Sequence, residues 1–152
     1  MVNYTDEPHF AQDLNETNDC FVRALAISAK ISYTESHGIA KELFGRKTGE
    51  GTYDINPTIR SKKGRDYFAH RNIQLEDVKH TYVRRDKKVL PLNIRGFYNR
   101  YPKGSYLLLV SGHALAIVDG VIQDWEDYKK HIGRPLKAAY RVKNNRQQTL
   151  FA

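Results

Sequence analysis

Cys20 is the only cysteine in a chain of 152 residues, and six histidines are available to pair with it. A thiol acts as a nucleophile only as its thiolate, so its surroundings decide what it can do. Asn18 and Asp19 precede the run CFVRALAISAKI, in which only Arg23 and Lys30 are charged. Such a run predicts a helix over 20–31 that is surrounded by protein. Asn18 or Asp19 is its natural N-cap, through a side-chain oxygen that accepts first-turn N–H groups. Cys20 therefore falls in the first turn, where the helix dipole favours a thiolate and unpaired N–H groups can hold a developing oxyanion. Without a partner the same residue reads as a small buried hydrophobe. A base decides between the two.

His113 is the candidate base. It opens the apolar run HALAIV, and Asp119-Gly120 separates that run from VIQDW. Asp-Gly between two apolar runs is a strong hairpin signal. A two-residue loop there pairs Val118 with Val121, Ile117 with Ile122, Ala116 with Gln123 and Leu115 with Asp124. Alternation then puts His113, Leu115 and Ile117 on one face with Ile122, Asp124 and Glu126. Asp124 becomes a diagonal neighbour of His113, ~7–8 Å away at Cα. Glu126 lies directly opposite and is the fallback orienter. A carboxylate that fixes the tautomer of a histidine, beside a thiol on a helix N-terminus, is the layout of nucleophilic acyl transfer. The expected arrangement has the cysteine helix covering that same sheet face. A histidine bonded to Asp124 for structure alone is the competing reading.

The elements that must position these groups follow from pattern. A second helix is expected over 33–44, opened by Ser32 with Glu35 as a capping box and closed by Gly45. The Gly-rich stretch Gly45 to Thr52 does not fit a P-loop and reads as a surface loop or a substrate-facing lid. Asn56-Pro57 starts a third helix toward Ala69, and residues 91–101 form a short fourth. Strands are expected at 106–110, 113–118, 121–125 and 136–142. Helices first and an antiparallel sheet second is an α+β pattern. Length suits one domain over 1–143, with a polar tail at 144–152.

Composition narrows the partners. The formal net charge is +8, unevenly spread: residues 1–59 carry −4, 60–104 carry +9 and 105–152 carry +3. One cysteine excludes an internal disulfide framework and a Cys-rich zinc cluster. The other histidines show no ligand spacing, so neither a metal nor another cofactor is expected. No apolar run approaches the ~18–20 residues of a membrane span. The first 19 residues are acidic, the reverse of a targeting peptide. A soluble, cytoplasmic protein is expected.

Asn18-Asp19-Cys20 with Arg23-Ala24-Leu25, Ser111-Gly112-His113-Ala114, Asp119-Gly120-Val121 and Asp124-Trp125 together resemble the papain-like cysteine peptidase superfamily. Within it, the pattern is most similar to peptidases that process bacteriocin leaders and to small phage proteins. The resemblance covers roughly 15–30 and 104–128. It implies a papain-like fold, N-terminal helices packed on a C-terminal antiparallel sheet, and a cysteine hydrolase acting on a peptide, isopeptide or related acyl bond. It makes Cys20 the nucleophile, His113 the base and Asp124 its orienter. It implies host cytoplasm if the chain is phage-encoded. The family places a Gln about six residues before the cysteine; Leu14 stands there, so Asn18, Asn15 and Gln12 become the oxyanion candidates.

Two other readings stay open. One is a catalytically inactive papain-like fold that binds and disables a protein. The other is a basic module for nucleic acid, since aromatics such as Tyr67, Tyr82 and Tyr98 are interleaved with basic residues across 60–104. That segment shows no recognition-helix or zinc-finger pattern. It is expected instead to form a rim beside the cleft, with Lys62, Lys63, Arg65, Arg84 and Arg85, suited to an acidic protein or peptide substrate.

Overall fold

The computed structural model describes residues 18–123 and 132–146. Its elements, in chain order, are α1 (Cys20–Ala29), α2 (Tyr33–Phe44), α3 (Ile55–Arg60), α4 (Lys62–His70) and β1 (Ile73–Asp77). Then come β2 (Tyr82–Arg85), β3 (Lys88–Pro91), α5 (Ile94–Arg100), β4 (Ser105–Val110), β5 (His113–Val118), β6 (Val121–Gln123) and β7 (Ala138–Asn144). Five strands form one antiparallel sheet in the order β1-β7-β4-β5-β6, and β2 pairs with β3 in a separate ribbon. The fold is α+β. No helix among the described residues is long and apolar enough to cross a membrane.

Both faces of the sheet are buried, which is why β4 and β5 read as nearly continuous apolar runs. One face, with Leu107, Leu109, Ala114 and Tyr140, packs against Phe21 and Leu25 of α1, Ile39 of α2 and Phe68 of α4. The other, with Tyr106, Leu108, Leu115, Ile117 and Ile122, packs against Ile94 and Phe97 of α5. Alternation along each strand sorts the side chains between these two cores. Helix α1 lies between the sheet and α2, and the buried Ser36 hydroxyl donates to the Val22 carbonyl at 2.7 Å. That position explains its lack of a polar face.

Capping sets the helix ends. Ser32 Oγ accepts from the Glu35 amide at 3.0 Å, and Gly45 closes α2 with a left-handed φ of 67°. The single helix expected from Asn56 to Ala69 is instead two. Ser61 adopts an extended conformation, ends α3 and caps α4 by accepting from the Gly64 amide. A Cβ on Gly64 would lie 1.9 Å from the Thr58 carbonyl oxygen, so only glycine fits this corner.

The hairpin register over 116–118 and 121–123 is the expected one, and Asp119 and Gly120 both have positive φ, 48° and 79°, as a type I′ turn requires. The face covered by the cysteine helix is a correction. α1 packs on the Ala114 side of β5, and α5 covers the Leu115–Ile117 side that His113 shares by alternation. Because β5 is apolar on both faces, its alternation could not say which face takes which helix. The C-terminal strand runs to Asn144, and Asn145 and Arg146 are also tied down, by Asn72 and Glu35. The folded body thus extends past the expected boundary at 143.

Candidate functional site

Cys20 is the first residue of α1, half-buried and with a free thiol. Asp19 occupies the N-cap position, but its carboxylate makes no capping bond. It accepts instead from Tyr33 Oη at 2.6 Å and from Arg23 Nε at 2.9 Å. This corrects the expected cap. The first N–H groups of a helix have no partner within it, and here the nearest carboxylate is held away from them. The negative charge beside Cys20 is balanced by Arg23, whose side chain is largely buried.

His113 is the first residue of β5 and only 7% exposed. The turn before it depends on Gly112, whose φ is 70°. Cys20 and His113 line the same groove, of about 930 Å³. Leu109 and Ala114 from the α1 face of the sheet, and Val110 and His113 from the other face, all border it. The groove therefore runs across the end of the sheet. That is how a histidine on one face and a helix on the other come to share it.

The facing wall is the chain from Gly49 to Pro57. Residues 49–52 belong to the Gly-rich loop; Tyr53 and Asp54 were not singled out by the sequence, and Asn56 only as a helix start. Tyr53 is a large, 70% exposed aromatic between the glycines and Asn56-Pro57, which is the signal that marks this wall. The wall is anchored at both ends. Asn18 Nδ2 donates to the Gly49 carbonyl at 3.0 Å, and Tyr140 Oη donates to Asn56 Oδ1. Burial pushes Tyr140 up to about 12, so it stays a neutral donor across the physiological range.

The expected site residues fall into three groups. Cys20, His113 and Asn18 line the groove. One amide hydrogen of Asn18 is spent on Gly49, which leaves a second hydrogen on the same nitrogen able to donate. Asp124, Glu126, Asn15 and Gln12 lie outside the described residues. Lys62, Lys63, Arg65, Arg84 and Arg85 do not line the groove. Lys62 is paired with Asp66 on α4, Arg65 borders a separate hollow, and Arg84 and Arg85 stand on the β2–β3 ribbon. Among the described residues, the charged ones that do line the groove are Glu50, Asp54 and Lys137, so the basic segment 60–104 does not supply its charge.

Among the described residues no cluster of His, Cys, Asp and Glu could hold a metal ion. Comparison of the chain with protein-family models, with characterised proteins and with solved structures gives no match.

Proposed function

We propose that the protein is a cysteine-dependent hydrolase of amide or related acyl bonds, with a papain-like arrangement of helix and sheet. One observation carries this reading. The only thiol in the chain sits on the first turn of a buried helix and opens into the same groove as a buried histidine at a strand start. The groove has the size of a ligand site, ~300–1,000 Å³, and its open, mixed lining suits a stretch of extended peptide in a reducing compartment such as the cytoplasm.

In this reading the Cys20 thiolate attacks the scissile carbonyl, forming the C–S bond and a tetrahedral oxyanion. First-turn N–H groups and the Asn18 amide face that oxygen. The His113 imidazolium then protonates the leaving amine as the C–N bond breaks, leaving a thioester. Water attacks the thioester, His113 takes its proton, and the C–S bond breaks to release the acid and the thiolate. Asp124 would hold the histidine tautomer, as the sequence resemblance implies.

The test is turnover of a mixed-sequence fluorogenic peptide library, followed by intact mass on the stalled enzyme. Wild type should cleave and show an acyl adduct on Cys20, and Cys20→Ser should do neither. Equal cleavage by Cys20→Ser would overturn the proposal.

A further inference from the structure

The β2–β3 ribbon takes no part in the groove, and its charge calls for a separate account. From Lys79 to Lys88 the chain holds five basic residues and one acidic, a net of +4. Arg84, Arg85, Lys87 and Lys88 are all exposed and form no ion pair among the described residues. The ribbon barely packs: its strands are exposed along most of their length, and Val83 is the side chain that reaches the core. A two-stranded hairpin is marginally stable by itself, so one this charged and this exposed is poorly explained by folding alone.

Register places the charges. Arg84 pairs with Val89, and Arg85 pairs with Lys88. Cross-strand partners share a face, so Arg84 and Val89 lie on one face of the ribbon and Arg85 and Lys88 on the other; that second face meets the body at Val83, nearer the base, and is exposed at Arg85 and Lys88 beside the tip. Asp86 and Lys87 form the tip, with φ of 48° and 66°, the pair of positive values of a type I′ turn. A flat acidic protein surface would meet one face and leave the other side's charge unused. A cleft with anionic walls on both sides uses all of it.

From this we infer that the β2–β3 ribbon binds duplex nucleic acid by entering its major groove, with Arg84 contacting the phosphates of one wall and Arg85 and Lys88 those of the other. The groove is ≈ 12 Å wide and admits a two-stranded ribbon. The exposed side chains of Tyr82 and Val89, 57% and 59% accessible, share the Arg84 face and would lie along the sugars of the same wall. A single-strand stacking platform is less well served. Phe68 and Phe97 are buried, and Phe97, Tyr101 and Tyr106 pack on one another. The sequence showed no recognition helix because the charged element is a ribbon. This inference does not depend on the thiol chemistry.

The test is fluorescence anisotropy on a random-sequence DNA duplex of about 20 bp across roughly 50–200 mM salt, where counterion release is read as a slope. Two triple variants remove equal charge: Arg84→Ala/Arg85→Ala/Lys88→Ala on the ribbon, and Lys62→Ala/Lys63→Ala/Arg65→Ala on α4. Wild type should bind, and the ribbon triple should flatten the slope of log K against log salt by about 2.7, at ~0.9 per phosphate contact. The α4 triple should change it by less than one contact. Arg84→Lys/Arg85→Lys/Lys88→Arg, which keeps every charge, should retain the slope and so exclude misfolding as the cause. Absence of binding at the lowest salt, equal losses in the two alanine triples, or tighter binding to oligo-dT or polyglutamate than to the duplex would each overturn the inference.

Discussion

The hydroxyl of Tyr33, fully buried at the start of α2, donates to the carboxylate of Asp19, the residue immediately before Cys20. The bond is 2.6 Å long, and Arg23 holds the same carboxylate oxygen from one turn along α1. The contact joins the two helices at the point where the thiol emerges. It also keeps a negative charge from capping the helix end that would face the thiolate. Tyr33→Phe should therefore cost about 1.5–3 kcal/mol, the range of a hydrogen bond to a charged acceptor. It should also slow alkylation of Cys20 at neutral pH severalfold, because the released carboxylate disfavours a second negative charge beside it. Chemical denaturation and iodoacetamide kinetics on the same variant measure the two effects, and unchanged kinetics would remove Tyr33 from any role at the thiol.

Two tyrosines should resist ionisation. Burial, first, raises both Tyr140 and Tyr67 to about 12, and a hydrogen bond to Glu42 adds to the rise at Tyr67. The folded state thus holds these protons more tightly than the unfolded chain, whose tyrosines ionise near ~10. Their contribution to stability is complete below that unfolded value and is lost as pH rises toward 12. Ultraviolet titration of the ten tyrosines should show Tyr140 and Tyr67 among the last to ionise, together with unfolding. Tyr140→Phe should remove one of them and loosen the Asn56 wall.

Much of the site was legible because local signals coincide with it. Cys20 falls at a helix start that periodicity and composition both mark, and Asp119-Gly120 set the hairpin register that places His113 at a strand start. The assignment of faces was not legible. β5 is apolar on both sides, so its alternation carries no information about which core each side joins, and only α1 and α5 decide it. Asp19 looked like a cap because its residue type favours one, but Tyr33, fourteen residues on, takes its carboxylate. The break at Ser61 was hidden by a sequence that is helix-compatible on both sides of it. The ribbon was hidden for a different reason: the unbroken run of charge from Arg84 to Lys88 leaves no hydrophobic period to reveal a strand.

Acid should loosen the junction between α2 and the end of β7. The Arg146 guanidinium donates to both oxygens of Glu35 and lowers its carboxyl below the usual value. A depressed carboxyl contributes stability above its unfolded value, near ~4.3, and loses it as pH falls through the lower folded value. Both partners are about one-third exposed, so the effect stays at ~1 kcal/mol or less. Thermal midpoints of wild type and Glu35→Gln should differ near neutrality and converge as pH falls through the lowered folded value. A difference that stays constant into acid would mean that the ion pair contributes nothing.

Gly64→Ala should destabilise the protein although it sits inside a helix. In an ordinary helix interior the change gains about 1 kcal/mol. Here the added Cβ would meet the backbone oxygen of Thr58 at 1.9 Å, so the corner between α3 and α4 must open. A loss of more than about 2 kcal/mol is expected, in line with overpacking costs of ~1–3 kcal/mol. Urea denaturation of the variant measures it, and a gain in stability would contradict the corner geometry.

Cys20 and His113 should act as one chemical unit, and the rate of Cys20 alkylation tests this most directly. Iodoacetamide at neutral pH should modify Cys20 faster in the folded wild type than in the denatured protein. His113→Ala should slow that reaction by an order of magnitude or more, since the paired thiolate loses its cationic partner. If the folded wild type and His113→Ala both react no faster than the denatured protein, Cys20 is a structural cysteine and the hydrolase reading fails.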